Sequence, residues 1–323
     1  MEHVARIDRT GGPEVIGWDE VDLSPPGPGD VRLRHGAVGL NFIDTYHRGG
    51  LYPLKLPSGL GIEAAGTIEA VGEGVADWRL GDRAGVFSGA LGAYATARNV
   101  AAEQLVRLPE AVDDRTAAAF MLKGATAAFL VEQCARVRPG QTVLVTAAAG
   151  GVGHLLVGWL KAAGATVIGT VSTEAKALRV QAAGADHVLL SGEDIAARVR
   201  EITGGAGVPV VLDGVGQATW PAALASASRR GLIVSYGNAS GPVAGVNLGI
   251  LARHGSLFVT RPTLFDYAVT PAERQALADR VFAMLAHGAI RPEIGQTFAL
   301  KEAAEAHRAL EKGGTQGSTV LLP

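Results

Sequence analysis

The sequence predicts an α/β protein in which a β-rich domain accompanies a doubly wound parallel sheet. Its 323 residues exceed the usual size of one hydrophobic core. Short β-branched runs broken by glycine and proline fill the first part of the chain, whereas strands and helices alternate after it. We therefore predict a β-rich domain over residues 1–122, a parallel sheet over 123–262, and a segment over 263–323 that returns to the first domain.

The β-rich part is indicated by strand patterns between turn-forming clusters. Residues 31–40 (VRLRHGAVGL) and 65–72 (AGTIEAVG) are typical of strands. The clusters SPPGPGD, GEGV and RLGDRAG separate such runs and predict tight turns.

The alternating part begins with the strand pattern TVLVTA at residue 142. A helix from Gly151, the strand TVIGTV, a helix from Thr173 and the strand HVLL follow. A helix near 193–202, the strand VPVVLDGV, a helix near Trp220 and the strand GLIVSYG complete the series. This rhythm predicts a parallel sheet with right-handed crossovers.

The helix that starts at Gly151 shows one apolar face, which we expect to pack on the sheet. Gly158 falls on the opposite face, where we expect solvent. Gly164 and Gly184 follow the first two helices of this series and are expected to adopt left-handed C-cap conformations. The apolar face consists of Val152, Leu155, Leu156, Trp159, Leu160 and Ala163.

The last part of the chain predicts a helix with Thr270 as its N-cap, Pro271 at its first position and Glu273 as the capping partner. A second helix in LKEAAEAHRALEKGG and a strand in STVLLP follow. We expect these elements to join the N-terminal domain, because the parallel sheet is already complete.

Composition excludes several classes of function. The net charge is -2 and the Lys and Arg residues are scattered, so the sequence offers no cationic surface for nucleic acids or anionic membranes. No signal-peptide core and no run of about 18 apolar residues is present, so we expect a cytoplasmic protein without a membrane span. Cys134 is the single cysteine, which excludes an intrachain disulfide and a multi-cysteine zinc site.

The turn between the first parallel strand and its helix indicates a dinucleotide site. Gly150 and Gly153 keep the spacing of the second and third glycines of the phosphate-binding fingerprint, with Gly151 between them, while Ala148 stands at the first. Such glycines let the backbone approach a pyrophosphate, whose charge then lies at the helix N-terminus.

The end of the second parallel strand favours NADPH over NADH. A site for NADH would carry an acid near Ser172 to bind the ribose 2′-hydroxyl, but Ser172 is neutral. Thr173 offers a hydroxyl, and Lys176 lies one turn into the helix, where its ammonium would pair with a 2′-phosphate. A solvated helix lysine without this role is the alternative.

The whole chain resembles the medium-chain dehydrogenases/reductases, and within them the zinc-independent NADPH:quinone reductases. The resemblance implies a split GroES-like catalytic domain, a Rossmann domain for NADPH, the cofactor in the cleft between them, and a homodimer formed through edge strands. It is carried by NFIDTYHRGGLYP (41–53), GIEAAGTIEAVGEGV (61–75), GDRAG (81–85) and AAAGGVG (147–153).

The resemblance also implies catalysis without a metal. The positions of the cysteine and histidine ligands in zinc-dependent relatives carry Asn41 and Ile62 here. A catalytic zinc ion needs three protein ligands, and the single cysteine and eight dispersed histidines form no such pattern. His35 and His47 would hold an adventitious metal weakly at most.

The resemblance assigns cofactor contacts to four groups of residues. The first runs along the NFIDTY segment, the second follows the β-rich part, the third forms the phosphate turn and the end of the next strand, and the fourth lies in later loops. They are Asn41, Phe42, Ile43, Asp44, Thr45 and Tyr46; Lys123 and Thr126; Gly150, Gly151, Val152, Ser172, Thr173 and Lys176; and Gly214, Ser235, Tyr236, Gly237, Asn238, Arg261, Pro262 and Thr263.

The expected reaction is transfer of reducing equivalents from NADPH to a quinone. Asn41 and Tyr52 are candidates to orient the acceptor carbonyl, and Tyr46 to order the nicotinamide ring. Two alternatives remain at this stage: reduction of the double bond of an enone or enoyl thioester, and a redox-silent NADPH-binding protein. Ser191 and Gly313 replace a tyrosine and an arginine that contact the phosphate in the family, so the strength of the NADPH preference stays open.

Overall fold

The computed structural model describes residues 1–291 and 293–323, which separate into two compact units. The β-rich unit comprises Met1–Lys123, Tyr267–Phe282 and the C-terminal segment up to Pro323. The parallel-sheet unit comprises Gly124–Asp266 and Ala283–Arg291.

The strands and helices predicted between residues 142 and 235 occur in the predicted order, whereas the last strand of the parallel sheet, at 258–260, was not predicted. The strands are β1 (Glu2–Arg6), β2 (Gly17–Val21), β3 (Asp30–Leu40), β4 (Glu63–Val71), β5 (Arg83–Val86), β6 (Ala97–Ala101), β7 (Val106–Arg107), β8 (Thr142–Val145), β9 (Thr166–Val171), β10 (His187–Leu190), β11 (Val208–Asp213), β12 (Ala227–Ser235), β13 (Phe258–Thr260), β14 (Ile294–Ala299) and β15 (Ser318–Leu322). The helices are α1 (Phe42–Gly49), α2 (Asp114–Ala128), α3 (Gly151–Ala162), α4 (Glu174–Ala182), α5 (Ile195–Ile202), α6 (Trp220–Ser226), α7 (Gly249–Arg253), α8 (Pro271–Ala286) and α9 (Ala303–Glu311). A π-helical turn, Phe129–Cys134, continues α2.

The main sheet of the β-rich unit has the strand order β14-β15-β3-β4-β5-β7, with β6 also paired to β3. The late strand β15 runs antiparallel to β3, with Val320 opposite Gly39. In the pairing of β3 with β4, Gly39 also lies opposite Glu63. This register places the first residue of β4 beside the end of β3, where helix α1 begins.

A hydrophobic core supports this sheet. Its fully buried side chains include Leu33, Leu40, Leu60, Ile68 and Tyr94. Ala303 and Ala306 of α9 belong to the same core. The small residues of the predicted second C-terminal helix therefore serve to let α9 pack closely on the β-rich unit.

The sheet of the other unit has the order β10-β9-β8-β11-β12-β13, and every pair in it is parallel. The chain moves outward from β8 to β10 and then crosses to β11 on the other side of β8. This reversal makes the carboxyl ends of β8 and β11 the topological switch point, where open parallel sheets bind their ligands.

Helix α3 packs largely as predicted, with one correction. Leu155, Leu156, Trp159 and Leu160 are buried. Gly158, however, does not face open solvent, because a Cβ atom there would lie 2.6 Å from the carbonyl oxygen of Ala289. The residue is a point of close approach between α3 and the segment that follows α8.

The predicted helix ends are confirmed. Gly164 and Gly184 have φ angles of +76° and +106°. Thr270 Oγ1 accepts from the Glu273 backbone N–H at 3.2 Å, and the Glu273 carboxylate accepts from the Thr270 N–H at 2.8 Å. Within the described ranges, no helix is both long and apolar enough to cross a membrane.

Candidate functional site

The phosphate turn joins β8 to α3 at the switch point of the parallel sheet. Gly150 is the N-cap of α3, and its N–H donates to the Ala147 carbonyl at 2.9 Å. A Cβ atom on Gly153 would lie 2.3 Å from that carbonyl oxygen, so only glycine lets the helix approach the turn. Ala147 adopts a φ of +48°, and Ala148, at the first fingerprint position, is buried.

The end of β9 gathers hydroxyl groups and a cation. Lys176 Nζ donates to Ser172 Oγ at 3.2 Å, and Thr173 Oγ1 accepts from the Lys176 backbone N–H at 3.4 Å. Ser172 and Thr173 are exposed and Lys176 is half-buried. These donors suit a phosphate group, and the N-terminus of α4 adds its positive end.

The loops after β11 and β12 pack against each other in the same unit. A Cβ atom on Gly214 would lie 2.8 Å from Tyr236 Oη, and one on Gly237 would lie 2.2 Å from the Gly214 carbonyl oxygen. The Asn238 amide donates to the Gly237 carbonyl at 3.0 Å, and its oxygen accepts from Arg261 Nη2 at 3.2 Å. The predicted loop residues from these strand ends are therefore brought together.

Asp213 anchors these loops, although the sequence analysis did not select it. Its carboxylate is buried and accepts from Thr146 Oγ1 at 2.7 Å, Thr219 Oγ1 at 2.6 Å and the Gly216 N–H at 3.0 Å. Thr146 Oγ1 in turn accepts from the Gly214 N–H at 3.1 Å. The carboxylate thus ties the end of β8 to the loop after β11.

In the β-rich unit, helix α1 carries the predicted NFIDTY residues. Phe42 is exposed, Ile43 and Tyr46 are half-buried, and Asp44 and Thr45 are buried. The ring of Tyr46 meets the ring of Tyr52 edge-on, with centroids 5.3 Å apart. The two predicted tyrosines therefore form one aromatic surface.

A buried polar cluster lies at the start of this helix. Asn41, its N-cap, donates from Nδ2 to Glu63 Oε2 at 2.9 Å. Lys123 Nζ lies 3.6 Å from the same oxygen. The Glu63 side chain has no exposed surface, and burial raises its pKa while the Lys123 charge lowers it. Lys123 Nζ is buried and makes no hydrogen bond within the described part of the chain.

A second buried chain of polar groups reaches the same helix. Burial raises the pKa of Asp44 to about 7, although its carboxylate accepts from the Asn41 N–H at 2.9 Å and from Tyr94 Oη at 3.0 Å. Arg48 Nη1 contacts His307 Nδ1 at 2.9 Å. Burial, with the nearby Arg48 charge, lowers the pKa of His307 to about 3. Asp44 therefore lies in the interior of the unit, where its carboxylate accepts from the backbone N–H of Asn41.

The remaining predicted residues occupy both units. Thr126, Gly151 and Val152 are half-buried, Pro262 and Ser235 are buried, and Thr263 is exposed. Among residues 1–291 and 293–323, no group of three His, Cys, Asp or Glu side chains is placed to hold a metal ion.

The end of β9 and the phosphate turn carry the groups that a dinucleotide phosphate needs. The Ser172, Thr173 and Lys176 donors fit a 2′-phosphate, and the Gly153 contact brings the helix N-terminus close to the turn, as a pyrophosphate site requires. The parallel-sheet unit therefore fits NADPH.

Glu63 and Asp213 are two buried acids that the sequence analysis did not select. Each left a signal: an acid within a short, otherwise apolar strand pattern, GIEAAGTI and VPVVLDG. Acids in such positions are rarely buried unless they are paired, so they mark polar networks.

Comparison with known proteins supports the resemblance. Residues 27–110 match the alcohol dehydrogenase GroES-like domain, and residues 151–283 match the zinc-binding dehydrogenase family. The chain is 52% identical to a quinone oxidoreductase of Pseudomonas aeruginosa over 97% of both chains. It is 44% identical to a 2-haloacrylate reductase of a Burkholderia species, covering 100% of this chain and 99% of that one.

A solved structure gives the same picture. The crystal structure of Escherichia coli quinone oxidoreductase complexed with NADPH superposes with a TM-score of 0.97 at 44% identity. The match covers 99% of this chain and 100% of that one.

Proposed function

Because the chain belongs to the quinone oxidoreductases of the medium-chain dehydrogenase/reductase family, we propose that it reduces a quinone with NADPH and without a metal. The balanced reaction takes a quinone, NADPH and a proton to a hydroquinone and NADP⁺. The observation that carries the proposal is the phosphate-binding end of β9, where Lys176 Nζ and Ser172 Oγ lie 3.2 Å apart.

The parallel-sheet unit holds the cofactor in this proposal. The phosphate turn at Gly150, Gly151 and Val152 binds the pyrophosphate, and Ser172, Thr173 and Lys176 bind the 2′-phosphate. Bound NADPH supplies the hydride. The loops at Gly214, Ser235–Asn238 and 261–263 complete the nucleotide site, held in place by Asp213.

The β-rich unit orients the reacting groups. Asn41 and Tyr52 position the acceptor carbonyl, and the aromatic surface of Tyr46 and Tyr52 orders flat rings against it. Lys123 contributes a buried ammonium close to Asn41 that favours developing negative charge. Quinones accept hydride without a Lewis acid, and water supplies the proton to the product oxygen.

Reduction of an activated carbon–carbon double bond is the second candidate. The similarity to a 2-haloacrylate reductase favours it, because 2-haloacrylates carry an electron-poor alkene. The same donors, Asn41 and Tyr52, would then face a developing enolate.

A homodimer in the cytoplasm completes the proposal. Strand β13 supports dimerisation, since it lies at the end of the parallel sheet and its Phe258 and Val259 are 59% and 40% exposed. Light scattering of the wild type and of Val259→Lys tests the dimer, which the added charge should weaken. Cell fractionation tests the location.

Oxidation of NADPH and NADH by the purified protein, with EDTA present, tests the function. Para-benzoquinone, a larger ortho-quinone and a simple enone serve as acceptors. We expect turnover of NADPH with a quinone despite the chelator. Turnover of the enone alone would support the second candidate, and NADPH binding without turnover would indicate a redox-silent protein.

A further inference from the structure

Glu63 occupies a space that the fold leaves open for it. It is the first residue of β4 and is fully buried. A Cβ atom on the opposite residue, Gly39, would lie 2.4 Å from Glu63 Oε2. Glycine at this point of β3 therefore makes room both for the carboxylate and for the Ala118 carbonyl oxygen of α2, which would lie 2.3 Å from the same Cβ atom.

Both oxygens of this carboxylate are engaged. Oε1 accepts from the Leu122 N–H at 2.7 Å. Oε2 accepts from Asn41 Nδ2 at 2.9 Å and lies 3.6 Å from Lys123 Nζ. A buried carboxylate needs such partners, because its desolvation is otherwise costly. Glu63 therefore links the N-cap of α1 to the residues 122 and 123 of α2.

The chemistry of a carboxylate dictates which way Asn41 faces. An ionised carboxylate only accepts hydrogen bonds, so the Asn41 amide must direct Nδ2 toward Glu63 and its carbonyl oxygen away from it. Turning the amide over would set two acceptors against each other. The same carboxylate supplies the countercharge of the buried Lys123 ammonium.

We propose that Glu63 is a positioning residue of the reductase, which fixes the orientation of the Asn41 carboxamide and the location of the Lys123 ammonium. This inference rests on the proposed function, in which Asn41 and Lys123 contact the cofactor or the acceptor. Glu63 itself acts through these two side chains.

Exchanging the amide and the carboxylate between positions 41 and 63 distinguishes an effect on side-chain orientation from a general loss of folding stability. Glu63→Gln places an amide against the Asn41 amide and leaves Lys123 without its countercharge. Asn41→Asp sets two carboxylates against each other. The double variant Asn41→Asp/Glu63→Gln restores one amide donor, one carboxylate acceptor and the original charge. It again presents an oxygen where the Asn41 carbonyl stood.

The readout is the dissociation constant of NADPH, measured by the change in its fluorescence on binding. We expect each single variant to bind NADPH about tenfold more weakly, as for loss of a hydrogen bond to a charged group. The dissociation constant of the double variant should be within about threefold of the wild-type value. Such a recovery would show that the two neighbouring residues are strongly coupled. Glu2→Gln is the matched control, because Glu2 pairs with Arg34 in the same unit, away from Asn41 and Lys123.

Melting temperatures are recorded alongside, and kcat and KM for para-benzoquinone are compared. A folded Glu63→Gln variant that binds NADPH as the wild type does would overturn the inference, as would additive effects in the double variant. If Glu63→Gln does not melt cooperatively, the double variant is compared with Asn41→Asp alone. Equal weakening in those two variants would also overturn the inference.

The NADPH titration is carried out without a quinone, so it tests the positioning role of Glu63 independently of the proposed reductase activity. A wild type that binds NADPH with this coupling but reduces no quinone would contradict the proposed function and support the positioning role. A wild type that binds no NADPH would overturn both.

Discussion

Tyr94 Oη and His307 Nε2 lie 2.9 Å apart in the core of the β-rich unit, although 213 positions separate them in the sequence. Tyr94 Oη also donates to Asp44 Oδ2 at 3.0 Å, so its single proton is used there. His307 must then donate from Nε2 and accept from Arg48 Nη1 at Nδ1. The chain of donors therefore runs from Arg48 through His307 and Tyr94 to Asp44.

Tyr94→Phe should lower the free energy of unfolding by about 2 kcal/mol, since it leaves two buried polar partners without the hydroxyl. Urea denaturation at neutral pH measures the loss. Tyr267→Phe, at a half-buried position in the same unit, is the control and should cost less. Equal losses in the two variants would argue against a role for the donor chain in stability.

His307 should make the fold sensitive to acid. Its pKa is about 3 in the folded protein against 6.5 ordinarily, so its contribution to stability is present above pH 6.5 and is lost as the pH falls toward 3. His35, with a pKa of about 3, acts with the same sign. His307→Gln should reduce the slope of unfolding free energy over this range by up to about 1.4 kcal/mol per pH unit. Parallel curves for the variant and the wild type would contradict the assignment.

Asp44 should have the opposite effect on the pH dependence of the unfolding free energy. Its pKa is raised from 3.8 to about 7, so its contribution is present below pH 3.8 and is lost as the pH rises through 7. Asp44→Asn does not titrate, and its unfolding free energy relative to the wild type should therefore increase between pH 4 and 7. Urea denaturation at several pH values checks this, and a constant difference would speak against the raised pKa.

Lys176→Ala should weaken NADPH binding by about tenfold, as expected for loss of one charge-assisted phosphate contact, and leave NADH nearly unchanged. Fluorescence titrations with both nucleotides measure the two constants. Equal weakening of NADPH and NADH would show that Lys176 does not read the 2′-phosphate.

Gly158→Ala should destabilise the parallel-sheet unit by about 2 kcal/mol, because its methyl group would press on the backbone at Ala289. Gly192→Ala is the control, since a Cβ atom there meets nothing within 4 Å. Thermal unfolding of both variants tests this prediction. Similar melting temperatures would show that the segment after α8 moves away from the added methyl group with little loss of stability.

The elements that the sequence predicted well depend on local signals. The turn at Gly150–Gly153, the caps at Gly164 and Thr270, and the apolar face of α3 are each encoded within a few residues. Gly158 was placed wrongly because its neighbour Ala289 comes from a segment more than a hundred residues later. Helical periodicity alone does not reveal such a neighbour.

The polar clusters escaped prediction for the same reason. Glu63 meets Asn41 across 22 positions, and Tyr94 meets His307 across 213. Only the pairing of β3 with β4, and the packing of α9 on the β-rich core, bring these groups together. A single sequence shows that an acid such as Glu63 is unusual in its strand, but it does not show which distant residue contacts it.

The pairing of β15 with β3 also sets an order for folding during synthesis. The central strand β3 leaves the ribosome early, but its partner Ser318–Leu322 is made almost three hundred residues later. By then β8 to β13 have already been synthesised. Because these strands follow one another closely along the chain, we expect their sheet to form first. On this side of β3, Asp30–Arg34 pair early with β6, but Val38–Leu40 stay unpaired through most of translation, which leaves that end of the strand open to wrong pairing.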